Sequence, residues 1–154
     1  MSETNAKMNK KNTYELLEDY LKKENLIFYK REEKEIVIFL LPYRFRNEGK
    51  TYTVRIEVRV SNKSTLCRIG FRAKLNLAKE FEKELLAMNS ELIDGNLSVA
   101  SNSDKVSFVT SFSLTSETDI EKIYKKHLYK CLSVLVTLYD REIIKKEEKD
   151  ESKK

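Results

Sequence analysis

From Thr51 to Val60 the chain places Tyr52, Val54, Ile56, Val58 and Val60 at every second position, with Arg55, Glu57 and Arg59 between them. That period-two alternation belongs to a strand with one buried and one wet face. It recurs after the turn "SNKS" (Ser61 to Ser64), where Cys67, Ile69 and Phe71 alternate with Arg68, Gly70 and Arg72. Upstream, a strand over Ile36 to about Phe45 leads into the hairpin turn "NEGK", in which Gly49 supplies a positive φ. Before it, "LIFYK" (Leu26 to Lys30) is the first strand and "REEK" the turn that follows it.

Three stretches carry helical spacing instead. Asn12 or Thr13 begins the first, with Glu15 at capping-box distance and Leu17, Tyr20 and Leu21 on one side. Asn76 is the expected cap of the second, whose apolar positions are Leu77, Phe81, Leu85 and Met88. Thr118 is the expected cap of the third, with Glu121 three residues on and Ile120, Ile123, Tyr124, Leu128, Cys131, Leu135 and Leu138 as its stripe to about Ile144. Between the last two, "NLSVA" and "KVSFVTSFSL" form a hairpin about the turn "SNSD". The order is α-ββββ-α-ββ-α: an α+β fold with an antiparallel sheet of about six strands, covered on one face by helices.

At 154 residues the chain is the size of one domain, assigned to residues 12–144, with charged tails expected to be disordered at 1–11 and 145–154. A net charge of +5 is too small to imply nucleic acid by itself. The longest apolar run, Ile36 to Leu41, is far too short to span a bilayer, and the N-terminus shows no secretory signal, so the expectation is a cytoplasmic protein without membrane contact. Cys67 and Cys131 form no disulfide framework and read as reduced thiols. Three glycines leave no glycine-rich loop to hold phosphate.

The stretch "LLAMNSELIDGNLSVASNSDKVSFVTSFSL", followed by a long amphipathic helix, resembles the YbjN family, whose domains share a type III secretion chaperone-like fold. The likeness runs from about Asn12 to Ile144 and lies in pattern more than in invariant chemistry. It implies a protein-binding or chaperone-like role, admits a homodimer, and supplies no catalytic residue. Leu132 and Val136, outside the main stripe of the last helix, are a further motive for self-association.

The arginines are the candidate site. Arg44 and Arg46 follow Leu40 on one parity, Arg55 and Arg59 alternate with the next strand's core positions, and Arg68 and Arg72 do the same on the strand after. If all six share one face, it either stays solvated through Arg and Glu cross-strand pairs or grips an anion through bidentate hydrogen bonds. An acidic protein segment is preferred to nucleic acid, because Tyr52, Phe71, Phe108 and Phe112 fall on core parities and only Tyr43 and Phe45 remain for base stacking. His127 and Cys131, four apart on one helix, have ligand spacing, and Cys67 is a conceivable third member; the reading kept is two small apolar cysteines and one satisfied histidine. The carboxylates are explained by turns, helix dipole and ion pairing: Asp94 and Asp104 in turns, Asp119 in a first helical turn, Glu57 among the arginines. The chain is therefore expected to be a non-enzymatic binding module with no cofactor or metal, acting through its sheet face, strand edge or helices.

Overall fold

A computed structural model describes residues 12–78, 80–92, 95–100 and 102–145. Six strands form one antiparallel sheet in the spatial order β1-β2-β3-β4-β6-β5, and the elements follow in the chain order α-ββββ-α-ββ-α. The strands are β1 (Tyr29–Glu32), β2 (Ile36–Asn47), β3 (Lys50–Ser61), β4 (Leu66–Lys74), β5 (Asn96–Val99) and β6 (Lys105–Ser113); the helices are α1 (Thr13–Lys23), α2 (Glu82–Glu91) and α3 (Ile120–Asp140). Residues 1–11 and 146–154, Lys79, Ile93, Asp94 and Ser101 lie outside the described residues, and with them nearly all of both expected tails.

Register fixes which parity is buried. Val37, Phe39 and Leu41 of β2 sit beside Val60, Val58 and Ile56 of β3, and Val60 and Val58 in turn beside Cys67 and Ile69 of β4. Phe112, Thr110, Phe108 and Val106 continue that side on β6. All are buried, and all but Thr110 join Leu17 and Leu21 of α1, Leu85 and Met88 of α2, and Tyr124, Leu128, Cys131, Leu135 and Leu138 of α3 in one core. Each large side chain moved from water into such a core stabilises by roughly 1.5–3 kcal/mol, which is why three amphipathic helices settle on the same side of the sheet.

Four local expectations are corrected. The first strand is not Leu26 to Lys30 but Tyr29–Glu32, because Leu26 and Phe28 are side chains that plug the core from a loop, Phe28 meeting Phe39 edge-on at 5.6 Å, while the charged residues after them do the pairing. Asn76 caps no helix. Its side chain donates to the Glu142 carbonyl at 3.1 Å and its N–H to the Ile143 carbonyl at 2.8 Å, so α2 starts only at Glu82 and Leu77 is left exposed. The cap of α3 is Asp119, whose carboxylate accepts from the Lys122 N–H at 3.2 Å; Thr118 instead closes a turn with Thr115. The same helix stops at Asp140, where Glu142 takes a positive φ and turns Ile143 and Ile144 back into the core.

Two predicted termini stand. The Glu15 carboxylate accepts from the Asn12 N–H at 2.9 Å at the start of α1, and the β2–β3 hairpin turns through Glu48 and Gly49, both at positive φ. Gly70 answers a different need. A Cβ there would lie 2.0 Å from the carbonyl oxygen of Phe108, so β4 and β6 approach too closely for any side chain at this point. Both sides of that contact are main chain and neither can step aside. Gly70→Ala is expected to destabilise by about 1–3 kcal/mol, the usual cost of forced overpacking, seen as a lower denaturant midpoint at unchanged slope. A midpoint equal to that of the native chain would refute the close approach.

Candidate functional site

The strand parity that the helices leave uncovered carries the six expected arginines. Ile38 pairs with Arg59 and Arg59 with Arg68; Pro42 pairs with Arg55; Arg44 and Arg46 follow on β2 and Arg72 on β4, all on that face. The same register adds Arg31 from β1 beside Ile38, and Lys74 and Lys105, which are partners across β4 and β6. Parity alone pointed to Lys74; Arg31 could be placed only once β1 was shifted to Tyr29–Glu32. The sole carboxylate on these strands' uncovered parity is Glu57. Nine cations less one carboxylate make +8 on this face against +5 for the whole chain, so everything else together carries −3.

Glu57 is half-sheltered and is shared: Arg59 donates to it through Nε, and Arg72 lies 3.5 Å away. The rim offers weaker partners, Glu33 for Arg31 at 3.0 Å and Asp104 for Lys74 at 4.0 Å, both in turns. Arg46 donates to the Gly49 carbonyl at 3.3 Å. Among the described residues, the side chains of Arg44, Arg55 and Arg68 have no hydrogen bond or ion pair. The face is not uniformly polar. Ile36, Ile38, Leu40 and Pro42 make an apolar strip along β2, with Arg31 beside it on β1 and Arg55 and Arg59 on β3. Ile38 is only 1% exposed, and arginine stems on either side are long enough to lie over it.

Tyr43 and Phe45 belong to the covered face. The Tyr43 and Tyr124 hydroxyls are 2.8 Å apart, Tyr124 meets the Tyr20 ring at 5.5 Å, and Phe45 stacks on Tyr52 at 5.3 Å. Burial pushes the phenols of Tyr43 and Tyr124 up from their ordinary range, so both stay neutral and their shared hydrogen bond is a structural one. Tyr29 is then the one aromatic residue on the uncovered parity of the strands.

The His127 and Cys131 pair is interior. The His127 ring stacks on Phe112 at 4.9 Å and its Nδ1 lies 3.1 Å from the Thr110 hydroxyl, the polar position that interrupts the buried side of β6. Among the described residues no cluster of three or more His, Cys, Asp and Glu side chains is placed to hold a metal. Cys67 and Cys131 are free and fully buried, and burial raises both thiols to about 12. A thiolate nucleophile wants exposure and positive surroundings, and neither cysteine has them.

Both cysteines should therefore resist a thiol-labelling reagent such as DTNB at pH 8 in the folded chain and react fully in guanidinium. The unfolded chain loses these protons near pH 9 and the folded chain near 12, so between the two the unfolded chain binds fewer protons. Stability should be level up to about pH 9 and fall as pH rises towards 12. Rapid native labelling of either thiol would contradict the buried placement. A scan against protein-family models matches no family, and neither curated proteins nor solved structures give a match to the chain.

Proposed function

We propose that this protein is a non-enzymatic binding module whose uncovered sheet face takes an extended polypeptide segment in which acidic and apolar residues are mixed. The observation that supports this most is the separation of charge, nine cations and one carboxylate on a face that also holds the apolar strip of β2. Arginine clusters grip carboxylates through paired N–H donors, and the strip gives an alternating segment somewhere to put its apolar side chains. The resemblance to the YbjN family adds a chaperone-like or regulatory role in the cytoplasm. A homodimer belongs to the same proposal, although Leu132 and Val136 pack against the core and leave little apolar surface on α3 beyond Tyr129.

Nucleic acid is the second reading, favoured by the same charge and disfavoured by the aromatics. Strand binders gain much of their affinity by stacking bases on exposed rings, and here Tyr43 and Phe45 are turned towards the helices.

The test is fluorescence anisotropy with two labelled probes, a peptide of about ten alternating Glu and Leu residues, roughly 33 Å long when extended, and a single-stranded oligonucleotide of similar length. The peptide should bind, with affinity falling as salt rises. Replacing Arg55 and Arg68 together by serine should weaken it by about tenfold or more, since hydrogen bonds to charged groups contribute roughly 1.5–3 kcal/mol each. Tighter binding of the oligonucleotide, lost in the same variant, transfers the face to nucleic acid. Retention of neither probe removes both readings. Light scattering on the same samples checks the dimer.

A further inference from the structure

β5 covers only part of β6. It pairs with Val106–Val109, while Thr110 to Ser113 have β4 on one side and, among the described residues, no strand on the other. The Leu114 N–H donates to the Thr65 carbonyl at 2.9 Å and the Leu75 N–H to the Asp104 carbonyl at 2.8 Å, so the even-numbered residues of β6 turn their main chain towards β4. Bonding alternates along an antiparallel strand, and the odd-numbered residues therefore turn theirs the other way: Ser107 and Val109 towards β5, Ser111 and Ser113 away from the sheet. Both serines are exposed, and among the described residues neither main chain is bonded on that side.

Two other outer edges are guarded. The Asn89 side chain accepts from the Leu97 N–H and donates to the Leu97 carbonyl, both at 2.8 Å, in the place of a further strand beside β5. The part of β2 that runs past β1 contains Pro42, which has no N–H, and the charged Arg44 and Arg46. The end of β6 has no such guard.

It has a cation instead. Arg68 lies opposite Ser111, and its guanidinium has no partner among the described residues. A cavity of about 390 Å³ adjoins Ser111, bordered by Arg68 from the β4 side and by Gly95 and Asn96 from the β5 side. Gly95, at a φ of 95°, precedes Asn96 at the start of β5, so a strand laid along Ser113 and Ser111 runs into it and ends there.

We propose that this end of β6 takes the C-terminus of another polypeptide, added as a short antiparallel strand whose terminal carboxylate lies in the cavity beside Arg68. The last residue sits opposite Ser111: its N–H donates to the Ser111 carbonyl, and its carboxylate accepts from the Ser111 N–H and the Arg68 guanidinium. The third residue from the end exchanges two main-chain bonds with Ser113, and its side chain lies on the uncovered face towards Leu66, an exposed apolar neighbour of Ser113, so an apolar residue suits that position. A parallel strand would bring an ammonium to Arg68. The site borrows only Arg68 from the cationic face and stands whether or not that face takes an acidic segment.

The probe is a short uncharged peptide ending Leu-Val-Ser with a free carboxylate and a neutral fluorophore at its N-terminus, measured by anisotropy on the full-length chain. It should bind, and its C-terminal amide should bind about tenfold more weakly or worse, because the amide gives up the charge-assisted bonds. Arg68→Ser should bring the acid down to the level of the amide. N-methylation of the last peptide nitrogen should cost about fivefold or more, and of the one before it nothing, since only the first points at β6. Amide exchange at Ser111 and Ser113 should slow by at least about threefold with the peptide bound. Equal binding of acid and amide, equal tolerance of the two methylations, or no binding at all overturns the proposal. An amide ending in Glu that binds as tightly as the acid moves the recognised carboxylate to a side chain and overturns the terminal form. Binding of this probe by a chain that ignores the Glu-Leu peptide upholds the site and sinks only the proposed function.

Discussion

The register of β3 against β4 decides the rest of this structure. With Arg59 opposite Arg68 and Val60 opposite Cys67, every guanidinium of the two strands falls on one side and every core residue on the other. A slip of one residue would carry Arg68 and Arg72 beneath the helices and leave Cys67, Ile69 and Phe71 in water. The register is pinned from both directions. Ile69 and Cys67 lie in the core under α3, and Gly70 is the one residue that permits the contact with the Phe108 carbonyl. The same four residue pairs that order the cationic face are all the pairing β3 and β4 make, and it stops at Glu57 and Gly70.

The element order and the two-sided sheet were legible in the sequence because period-two alternation is local and strong. The six arginines follow from it directly: Arg55 and Arg59 sit between Ile56, Val58 and Val60, and no tertiary contact was needed to place them. What was hidden depended on distant residues. Asn76 has the chemistry of a helix cap, yet its bonds go to Glu142 and Ile143, 66 and 67 residues away in sequence. Leu26 and Phe28 have strand-like side chains, but burial there comes from a loop packing into the core, not from pairing. Tyr43 and Phe45 were ambiguous because the parity of β2 passes through Pro42, and only the partner Tyr124 fixes which way they turn. The end of the β3–β4 pairing at Gly70 could not be foreseen at all, since nothing in either strand's composition marks where it stops.

The interior polar groups explain themselves within the fold. Thr110 breaks the apolar run of β6, and His127 breaks the stripe of α3, at positions that meet each other. A hydroxyl and an imidazole brought together satisfy groups that would each be costly to bury alone, and they fix how α3 sits over β6. Tyr43 and Tyr124 do the same between β2 and α3. Polar pairs of this kind hold one packing among several that a merely apolar layer would allow, which suits a chain whose other sheet face contributes little to the core.

That other face is where the structure departs from what stability alone would choose. Like charges directly opposite each other on neighbouring strands destabilise by a few tenths of a kcal/mol up to about 1 kcal/mol, and Arg59 and Arg68 are such a pair. Glu57 relieves Arg59 and Arg72, and Asp104 stands near Lys74, but nothing among the described residues answers Arg68 or Arg55. Exchanging Arg68 for threonine or serine would lower that repulsion at no evident cost to the core, because its side chain takes no part in it. In the proposed function this repulsion has a use: the carboxylates of an acidic segment would turn the same guanidinium groups from a strain on the sheet into a binding surface.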